Sequence, residues 1–287
     1  MAPPSEFDSH YYRHTYPDLA ELGEAELQEH FHAFGIAEGR NGSPFASRAR
    51  FLDLVAGIGS ILEIGPFFAP LVTGSNVKYF DVLSHEGLVS RGESLGHDTS
   101  KVPHVEFVSP HGDLSIVDEQ FDAVLSSHCI EHQPSLIRHL HEVHRILKPG
   151  GSFYLIVPDK RFCFDHFVPL STIADVLDAN DDRQVHTVRN LVEHWAFTTH
   201  NDPVRHWAGD HGEPMPASQR VERIKGALAS HSETEYIDIH AWKFTPESFR
   251  RIAQDLVDLG LSDLVPARVY NTPKNSFEFC AILTKER

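Results

Sequence analysis

The chain has 287 residues, of which 41% are hydrophobic and 23% charged, and its formal net charge is -16 at pH 7. This balance is typical of a protein with a sizeable buried core, while the acidic charge and the lack of any Lys/Arg-rich run argue against a nucleic-acid partner. The apolar runs are far too short for a membrane span and the N-terminus has no basic region followed by an apolar one, so we expect a cytoplasmic protein without a transmembrane segment.

Residues 1–45 are predicted to form a small helical appendage. The stretches YPDLAELG and AELQEHFHAFGIAEGR carry apolar residues at helical spacing, and RNGSP ends them with turn-forming residues. This segment resembles a short module with Tyr-Pro-Asp, a His-Phe pair and Glu-Gly-Arg-Asn, which is found near the N-termini of bacterial glycosyltransferases and sugar-modifying enzymes.

From residue 46, helices and strands alternate. After a helical pattern in SRARFLDLVAGIG come four short apolar segments typical of buried parallel strands, namely SILEI, NVKYFDV, HVEFV and FDAVLSS. PSLIRHLHEVHRILKPGG then predicts an amphipathic helix, which Pro-Gly-Gly ends before a fifth strand, SFYLIVP. We interpret four histidines of this region as surface or capping residues: His132, His139, His141 and His144.

Residues 160–240 interrupt the alternation and are predicted to be a His-rich insertion over the active face, with helices near STIADVLDA and TVRNLVEHWA. A helix follows in FTPESFRRIAQDLVDLG, where Thr245 can cap the start and Gly260 suits the end. LVPARVY and FEFCAILTK then predict an antiparallel hairpin. Residues 46–287 are therefore expected to form one α/β domain with a doubly wound, Rossmann-like sheet that is mostly parallel.

In such a sheet, ligands bind at the carboxyl ends of the strands, near the switch in strand order. Gly65 follows the first strand, and its missing side chain lets a ligand approach the backbone. Asp81 ends the second strand, where a carboxylate can accept both hydroxyls of a ribose. Asp113 follows the third strand and can accept from an adenine amino group. The fourth strand ends in SSHCIEH, at the centre of the predicted cleft.

The segments ILEIGP, FDAVLSSHCIEH and EVHRILKPGGSFYLIVP, together with Asp81, resemble the class I S-adenosylmethionine-dependent methyltransferases, and LKPGG before a strand is the most specific piece. The resemblance implies S-adenosylmethionine as the cofactor. It assigns Glu63, Gly65 and Pro66, in the loop after the first strand, to the methionine part, and Asp81 to the ribose. Asp113 and Leu114 are assigned to adenine, and Ser127 and His128 to the sulfonium.

The segments VPDKRFCFDHFVPLST and DIHAWKFTPESF look like a bacterial subgroup of this family associated with surface-sugar modification. The expected function is O-methylation of a sugar, glycan or other small hydroxyl-bearing acceptor. The sequence departs from the family in its glycine-rich loop, which is reduced to Gly65 and Pro66 followed by two phenylalanines, with little room for a helix. A noncatalytic methyltransferase-like binding domain is therefore an alternative, whereas the missing G-x-G-x-x-G pattern counts against a nicotinamide enzyme.

Methyl transfer to an alcohol needs alignment with the sulfonium and a base that takes the hydroxyl proton. His128 suits this task because imidazole titrates near neutral pH, although a polar residue bonded to the backbone at a strand end is the simpler interpretation. The same role could fall to Asp165 or His166 in FDHF, or to Asp238 or His240 in DIHAW. Three tryptophans could stack on sugar rings or pack in the core: Trp195, Trp207 and Trp242.

The stretch from His128 to His132 also matches H-x-x-E-H, the inverted zinc-protease pattern. That pattern needs its histidines and Glu131 on one helix, whereas a strand runs into His128 and Pro134 delays the helix. A zinc hydrolase using these three residues is kept as an alternative.

A second metal hypothesis uses ligands drawn from His128, Asp165, His206 and His240. Because these residues lack tight ligand spacing, we predict no resident metal. Cysteines are widely spaced without a Cys-x-x-Cys pair, which indicates reduced thiols: Cys129, Cys163 and Cys280. The sequence leaves the oligomeric state open.

Overall fold

The computed structural model describes residues 3–179 and 183–286. Residues 1–2 and 287, at the ends of the two predicted units, and residues 180–182 of the predicted insertion lie outside the described residues. Across the described ranges, no helix is both long enough and apolar enough to cross a membrane.

Seven strands in the described part of the chain form one sheet in the order β3-β2-β1-β4-β5-β7-β6. The strands are β1 (Ile61–Ile64), β2 (Val77–Asp81), β3 (Phe107–Val108), β4 (Phe121–Ser127), β5 (Leu147–Pro158), β6 (Leu264–Val269) and β7 (Glu278–Lys285). The first five pair in parallel, and β7 runs antiparallel to both β5 and β6. The predicted fold class, a mostly parallel doubly wound sheet with a C-terminal antiparallel hairpin, is confirmed.

The described helices flank this sheet and form the N-terminal segment and the insertion. They are α1 (Ser9–Thr15), α2 (Glu24–His30), α3 (Arg48–Asp53), α4 (His85–Ser94), α5 (Leu136–Ile146), α6 (Ile173–Asp178), α7 (Val188–Ala196), α8 (Pro203–Trp207), α9 (Ala217–Ser230) and α10 (Pro246–Asp258). In the fully described stretch between β1 and β2 there is no helix, as the short loop predicted.

The strand order reverses between β1 and β4. The chain moves outward from β1 through β2 to β3, and it then returns to the other side of β1 as β4 and continues outward to β5. Ile64 at the end of β1 pairs with Ser126 in β4, so the two strands end at the same level. The loops that leave them must separate to opposite sides, which opens a crevice at their carboxyl ends.

Helix α5 has the predicted amphipathic pattern, but it ends at Ile146 rather than at Pro149–Gly151, and β5 already begins at Leu147. Ser135 caps it by accepting a hydrogen bond from the Arg138 N–H at 3.2 Å, and its apolar face is buried in the main core. One histidine differs from expectation: His139 is 5% exposed and packs near Phe153, because it lies beside the sheet rather than on the solvent side. Burial lowers the pKa of His139 to about 4, so the ring is neutral at neutral pH.

The insertion contains the two predicted helices, α6 and α7, and two that the pattern did not predict, α8 and α9. Helix α7 packs on α9 through Leu191 and Ala227. The chain then returns to the sheet, where the N–H groups of Ala241 and Trp242 donate to the carbonyl oxygen of Glu131 at 2.7 and 3.1 Å. This pairing holds residues 236–242 against the turn that follows β4.

The N-terminal segment has a small core of its own and is attached to the C-terminal hairpin. Tyr12, Leu27 and Phe31 are buried together. The carboxylate of Glu6 accepts from the backbone N–H of Val269 in β6 at 2.7 Å. The division of the chain at residue 45 stays a prediction.

Candidate active site

A cleft of about 530 Å³ opens at the carboxyl ends of β1, β2 and β4. Its wall includes Gly65 after β1, Asp81 at the end of β2, Leu114 after β3, and Ser127 and His128 at the end of β4. The switch in strand order thus brings together most of the residues that the family resemblance assigned to the cofactor.

Gly65 is the point of closest approach between the β1 loop and the β4 loop. Its φ of +70° lies in the left-handed region that favours glycine, and a Cβ at this position would lie 2.5 Å from Cys129 Sγ. Both the backbone conformation and the space therefore call for glycine. The loop then runs past Phe67, which also lines the cleft.

Glu63 binds the backbone of the same loop. Its side chain is buried, and its carboxylate oxygens accept the backbone N–H groups of Leu71 at 2.8 Å and Val72 at 3.2 Å. Burial raises the pKa of Glu63 to about 7 even though these N–H groups oppose the shift. The cleft wall here is formed by Ile64 and Gly65 rather than by Glu63 and Pro66, so Glu63 holds the loop in shape.

Asp81 is 6% exposed and turns one carboxylate oxygen back to the N–H of Leu83 at 3.0 Å. Burial raises the pKa of Asp81, while backbone N–H groups counteract this shift. Its position at the strand end and in the wall of the cleft matches the position predicted for the ribose ligand.

Asp113 and Leu114 differ in what they face. Leu114 lines the cleft, whereas Asp113 lines a neighbouring cavity of about 140 Å³. Asp113 Oδ1 accepts from the Ser115 N–H at 3.0 Å, and Oδ2 lies 3.1 Å from Arg138 Nη2. Both carboxylate oxygens are therefore engaged, and an adenine amino group at Asp113 would have to compete with these partners.

His128 stands at the mouth of the cleft just after β4. Its φ of +54° turns the chain sharply, and its backbone N–H still donates to the Ile156 carbonyl at 2.9 Å. Its Nε2 lies 2.8 Å from Glu278 Oε2, a carboxylate that also pairs with Arg48 at 2.8 Å. Burial alone would raise the pKa of Glu278, but His128 and Arg48 hold that pKa below its usual range. Glu278 therefore stays ionised and fixes the ring of His128.

Glu131 lies at the base of this region and is completely buried. Within the described residues, neither of its carboxylate oxygens has a hydrogen-bond partner. Three imidazole nitrogens face its Oε1 instead: His128 Nδ1 at 3.7 Å, His132 Nε2 at 3.7 Å and His240 Nε2 at 3.8 Å. These distances are too long for hydrogen bonds.

Each of these rings contacts another acid through its second nitrogen. His240 Nδ1 lies 2.5 Å from Asp165 Oδ2, and His132 Nδ1 lies 2.9 Å from Asp238 Oδ1. Burial opposes protonation of His132, but Asp238 and Glu131 raise its pKa above the usual value. Burial likewise acts to raise the pKa of Asp165, and the neighbouring His240 lowers it below its usual range.

Sequence reasoning missed this convergence in part. From the sequence we interpreted His132 as a surface or capping residue and assigned Glu131 to a turn, and both entered only the zinc alternative, without His240. Both do lie in the short 3-10 turn Ile130–His132, but that turn points their side chains at one another and at His240. The available signals were the spacing of H-x-x-E-H and the second acid-histidine pair in DIHAW.

His166 lies in a different group of histidines. Its ring stacks on His211 at 3.7 Å, and its Nδ1 lies 2.8 Å from the carbonyl oxygen of Arg161. His206 links this group to His200: its Nδ1 lies 3.0 Å from His211 Nδ1 and its Nε2 lies 3.1 Å from the His200 carbonyl oxygen. The structure thus separates His166 from the other candidate bases.

The tryptophans are engaged in packing. Trp242 is 4% exposed and donates to the carbonyl oxygen of Gln133 at 2.7 Å. Trp207 stacks on Phe162 at 3.9 Å and donates to Ser276, and Trp195 packs with the core of α7 and α9. Their environment favours core packing over sugar stacking.

Residues 74–155 match the family model of a methyltransferase domain. The match begins just before β2, ends within β5, and contains the cleft residues Asp81, Leu114 and His128. Over these residues the chain is similar to S-adenosylmethionine-dependent methyltransferases. The cofactor of this methyltransferase domain is S-adenosylmethionine.

One curated relative matches half of the chain. The sterol 24-C-methyltransferase ERG6B from Gibberella zeae is 31% identical over 147 residues, which are 50% of this chain and 34% of the relative. The chain thus spans about a third of the length of the curated relative that it matches.

Two solved structures are also similar to the chain. A SAM-dependent methyltransferase from Aquifex aeolicus is 12% identical, with coverage of 85% of this chain and 94% of that chain and a TM-score of 0.40. The glycopeptide N-methyltransferase MtfA complexed with S-adenosyl-L-methionine is 25% identical, with coverage of 39% and 54% and a TM-score of 0.29.

Proposed function

We propose that this methyltransferase transfers the methyl group of S-adenosylmethionine to a hydroxyl oxygen of a sugar, glycan or other small acceptor. The observation that carries the proposal is the imidazole of His128, which lines the cleft and has its Nε2 held at 2.8 Å by Glu278. Transfer to an alcohol requires a positioned base beside the cofactor, and the partly buried carboxylate of Glu278 holds His128 in such a position.

The cleft can hold the cofactor in an extended form. About 530 Å³ is within the range of pockets for ligands of this size. We assign Asp81 to the ribose hydroxyls, Leu114 to a face of adenine, and Gly65 to the methionine part. These assignments follow the order of strand ends and leave the sulfonium near Ser127 and His128.

His128 is the preferred base among the candidates because of what the others contact. Asp165 and His240 are buried and bonded to each other, and His166 lies among other histidines. When His128 donates its Nε2 proton to Glu278, its Nδ1 keeps a lone pair that can accept the hydroxyl proton. The acceptor oxygen then forms a bond to the methyl carbon, the carbon-sulfur bond breaks, and uncharged S-adenosylhomocysteine leaves.

Support for a glycan acceptor comes from the segments that surround the base. VPDKRFCFDHF and DIHAW, which resemble the sugar-modifying subgroup, carry Asp165 and His240 and lie behind the cleft. Mass spectrometry of nucleotide sugars and cell-surface glycans incubated with the cofactor tests the class. The expected product gains one methylene unit, and its fragmentation locates the methyl group on oxygen.

Two substitutions separate cofactor binding from chemistry. Asp81→Asn should weaken S-adenosylmethionine binding by at least about 10-fold in calorimetry, because it removes a charged acceptor for the ribose. His128→Ala should leave binding within about 2-fold and reduce turnover by about 100- to 10,000-fold, the usual contribution of a positioned base. His141→Ala, on the exposed side of α5, is the matched control and should change neither quantity.

The noncatalytic alternative gives a different result. A protein that uses the fold only for binding would show no methylated product with any acceptor and no effect of His128→Ala on any measured function. Unchanged turnover in His128→Ala, with product still formed, would instead move the base to Asp165 or His240.

A further inference from the structure

We propose that Glu131, His132 and His240 bind a divalent transition-metal ion beside the cleft, whose wall includes His132. The three ligand atoms, one carboxylate oxygen and two Nε2 atoms, all lie within 4.8 Å of one another. The zinc alternative from the sequence included Glu131 and His132 but paired them with His128, and no ligand set from the sequence joined them to His240. The reason to propose one is the arrangement in space.

The first argument is the state of Glu131. Its carboxylate is completely buried and, among the described residues, neither oxygen receives a hydrogen bond. Burying a carboxylate without a partner is costly, and proteins avoid it unless a cation or a metal compensates. The histidines that face it stand at 3.7 and 3.8 Å, too far to compensate by direct hydrogen bonds. A metal ion between Glu131 and the two histidines would provide this compensation.

The second argument is the orientation of the two rings. Asp165 holds Nδ1 of His240 at 2.5 Å, and Asp238 lies 2.9 Å from Nδ1 of His132. In both rings Nε2 is thereby left to face Glu131. A carboxylate that contacts the far nitrogen of a ligating histidine is the usual support of such ligands, since it fixes the tautomer and makes the ring more basic. His240 is supported by such a hydrogen bond, whereas Asp238 lies at ion-pair distance from His132, whose Nδ1 makes no hydrogen bond within the described residues.

The third argument is size. Ligand atoms around a tetrahedral zinc-sized ion lie about 3.3 to 3.6 Å apart, because each bond is about 2.0 to 2.2 Å long. The separations of 3.7 and 3.8 Å between Nε2 and Oε1 approach this value. For these two separations an ion would need to draw the side chains together by only a few tenths of an ångström, and the two Nε2 atoms lie within 4.8 Å of each other.

The other histidine group shows why not every cluster qualifies. His166, His206 and His211 also lie close enough to share an ion. There, however, His206 is engaged at both ring nitrogens, with His211 Nδ1 and with the His200 carbonyl. Its lone pair is used within a chain of hydrogen bonds. At Glu131 the candidate ligand atoms instead face one another without hydrogen bonds.

Two imidazoles and one carboxylate favour Mn²⁺, Fe²⁺, Co²⁺ or Zn²⁺ over Mg²⁺ and Ca²⁺, which prefer oxygen ligands. Three protein ligands leave coordination positions open. In the proposed methyl transfer, on which this role rests, the open positions take two neighbouring oxygen atoms of the acceptor, as in a vicinal diol of a sugar. His128, 3.7 Å from the same Glu131 oxygen, stands beside them.

Cobalt titration of the full chain tests the site. Protein freed of metal by dialysis against a chelator is titrated with Co²⁺ alone, with visible absorption and calorimetry as readouts. We expect one equivalent to bind, with ligand-field bands typical of nitrogen and oxygen ligands, and Zn²⁺ to displace it while Mg²⁺ does not. Failure of the wild-type protein to bind Co²⁺ or Zn²⁺ would overturn the proposal.

Variants locate the binding. Glu131→Gln and His240→Ala should abolish the cobalt bands at concentrations that saturate the wild type. Asp165→Asn preserves the side-chain shape and should weaken cobalt binding by about 10- to 100-fold. This variant provides the test if Glu131→Gln does not fold. His211→Ala is the matched control in the other cluster and should bind as the wild type does. Loss of binding in His211→Ala alone would overturn the assignment.

These measurements need neither cofactor nor acceptor. Cobalt binding without any methyl transfer would contradict the proposed function and leave the site standing. Methyl transfer that is unchanged after metal removal would overturn the role of the ion in holding the acceptor.

Discussion

At the scale of single residues, Glu63 shows how a buried acid can shape a site without touching its ligand. Its carboxyl lies beneath the cleft and accepts two backbone N–H groups of the loop that follows β1. Burial raises its pKa from 4.5 to about 7. The Glu63 carboxyl therefore ionises at a higher pH in the folded protein than in the unfolded chain.

This shift predicts a pH dependence of stability. Below about pH 4.5 the carboxyl is neutral in both states; between about pH 4.5 and 7 the unfolded chain ionises first, so the free energy of unfolding should fall by about 3 kcal/mol across that window. Glu63→Gln is neutral at every pH and should lack this fall. Urea unfolding of both proteins at pH 5 and pH 8 measures the difference, and parallel pH curves would contradict the predicted shift.

The site could be predicted from the sequence where a residue's role depends on its place at a strand end. Asp81 and His128 were placed at strand ends in this way, because a strand and its end are local features of the chain, and both line the cleft. Glu131 was not, because its surroundings depend on His240, which arrives from the far end of the insertion. Asp113 illustrates a further limit, since its contact with Arg138 depends on how α5 packs.

Among the elements of the fold, the connection between β1 and β2 depends most clearly on a single glycine. It has no helix, and its shape depends on Gly65, where a Cβ would meet Cys129 Sγ at 2.5 Å and φ is +70°. A left-handed backbone costs about 1 to 2 kcal/mol for a residue with a side chain.

Gly65→Ala should therefore lower both the free energy of unfolding and the affinity for S-adenosylmethionine, because the loop must move away from Cys129. Combining it with Cys129→Ala relieves the contact but leaves the backbone strain. We expect the double variant to recover part of the lost affinity and about 1 to 2 kcal/mol of destabilisation to persist. Calorimetric titration measures the affinity and urea unfolding measures the stability, with Cys129→Ala as the control. Equal affinity in Gly65→Ala and in the double variant would rule out the contact with Cys129 as the cause of the lost affinity.

Strands were easier to predict than the helices of the insertion for a physical reason. The parallel strands β1, β2 and β4 are buried on both faces and read as short apolar runs. Helix α9 begins after Pro216 without a side-chain cap and buries Ala227 as its main apolar contact, so its sequence gives neither a start signal nor a clear stripe. Helix α10, which has a capping box at Thr245 and a broad apolar face, was predicted at both ends.

At the scale of the whole molecule, the N-terminal segment covers the exposed edge of the sheet. Strand β6 is the last strand on its side, and an unpaired edge invites association with other chains. The N–H of Val269 in β6 donates to Glu6, and the side chains of Arg268 and Tyr270 donate to the carbonyl oxygens of Pro3 and Pro4. The segment thus satisfies part of this edge.

Glu6 is the residue on which this attachment can be tested. Besides the Val269 N–H, its carboxylate contacts Arg250 Nη2 at 2.6 Å, an ion pair that is partly exposed and therefore contributes modestly. Glu6→Ala should lower the free energy of unfolding by about 1 to 2 kcal/mol, chiefly because the Val269 N–H loses its partner. It should also speed proteolytic cleavage within residues 3–46, since the segment detaches more often from β6.

Glu21→Ala, an exposed glutamate of the same segment, serves as the control and should change neither quantity. If Glu6→Ala resisted proteolysis as the wild type does, the segment would be held by its own core and by the contacts of Arg268 and Tyr270, and Glu6 would have no part in fastening it.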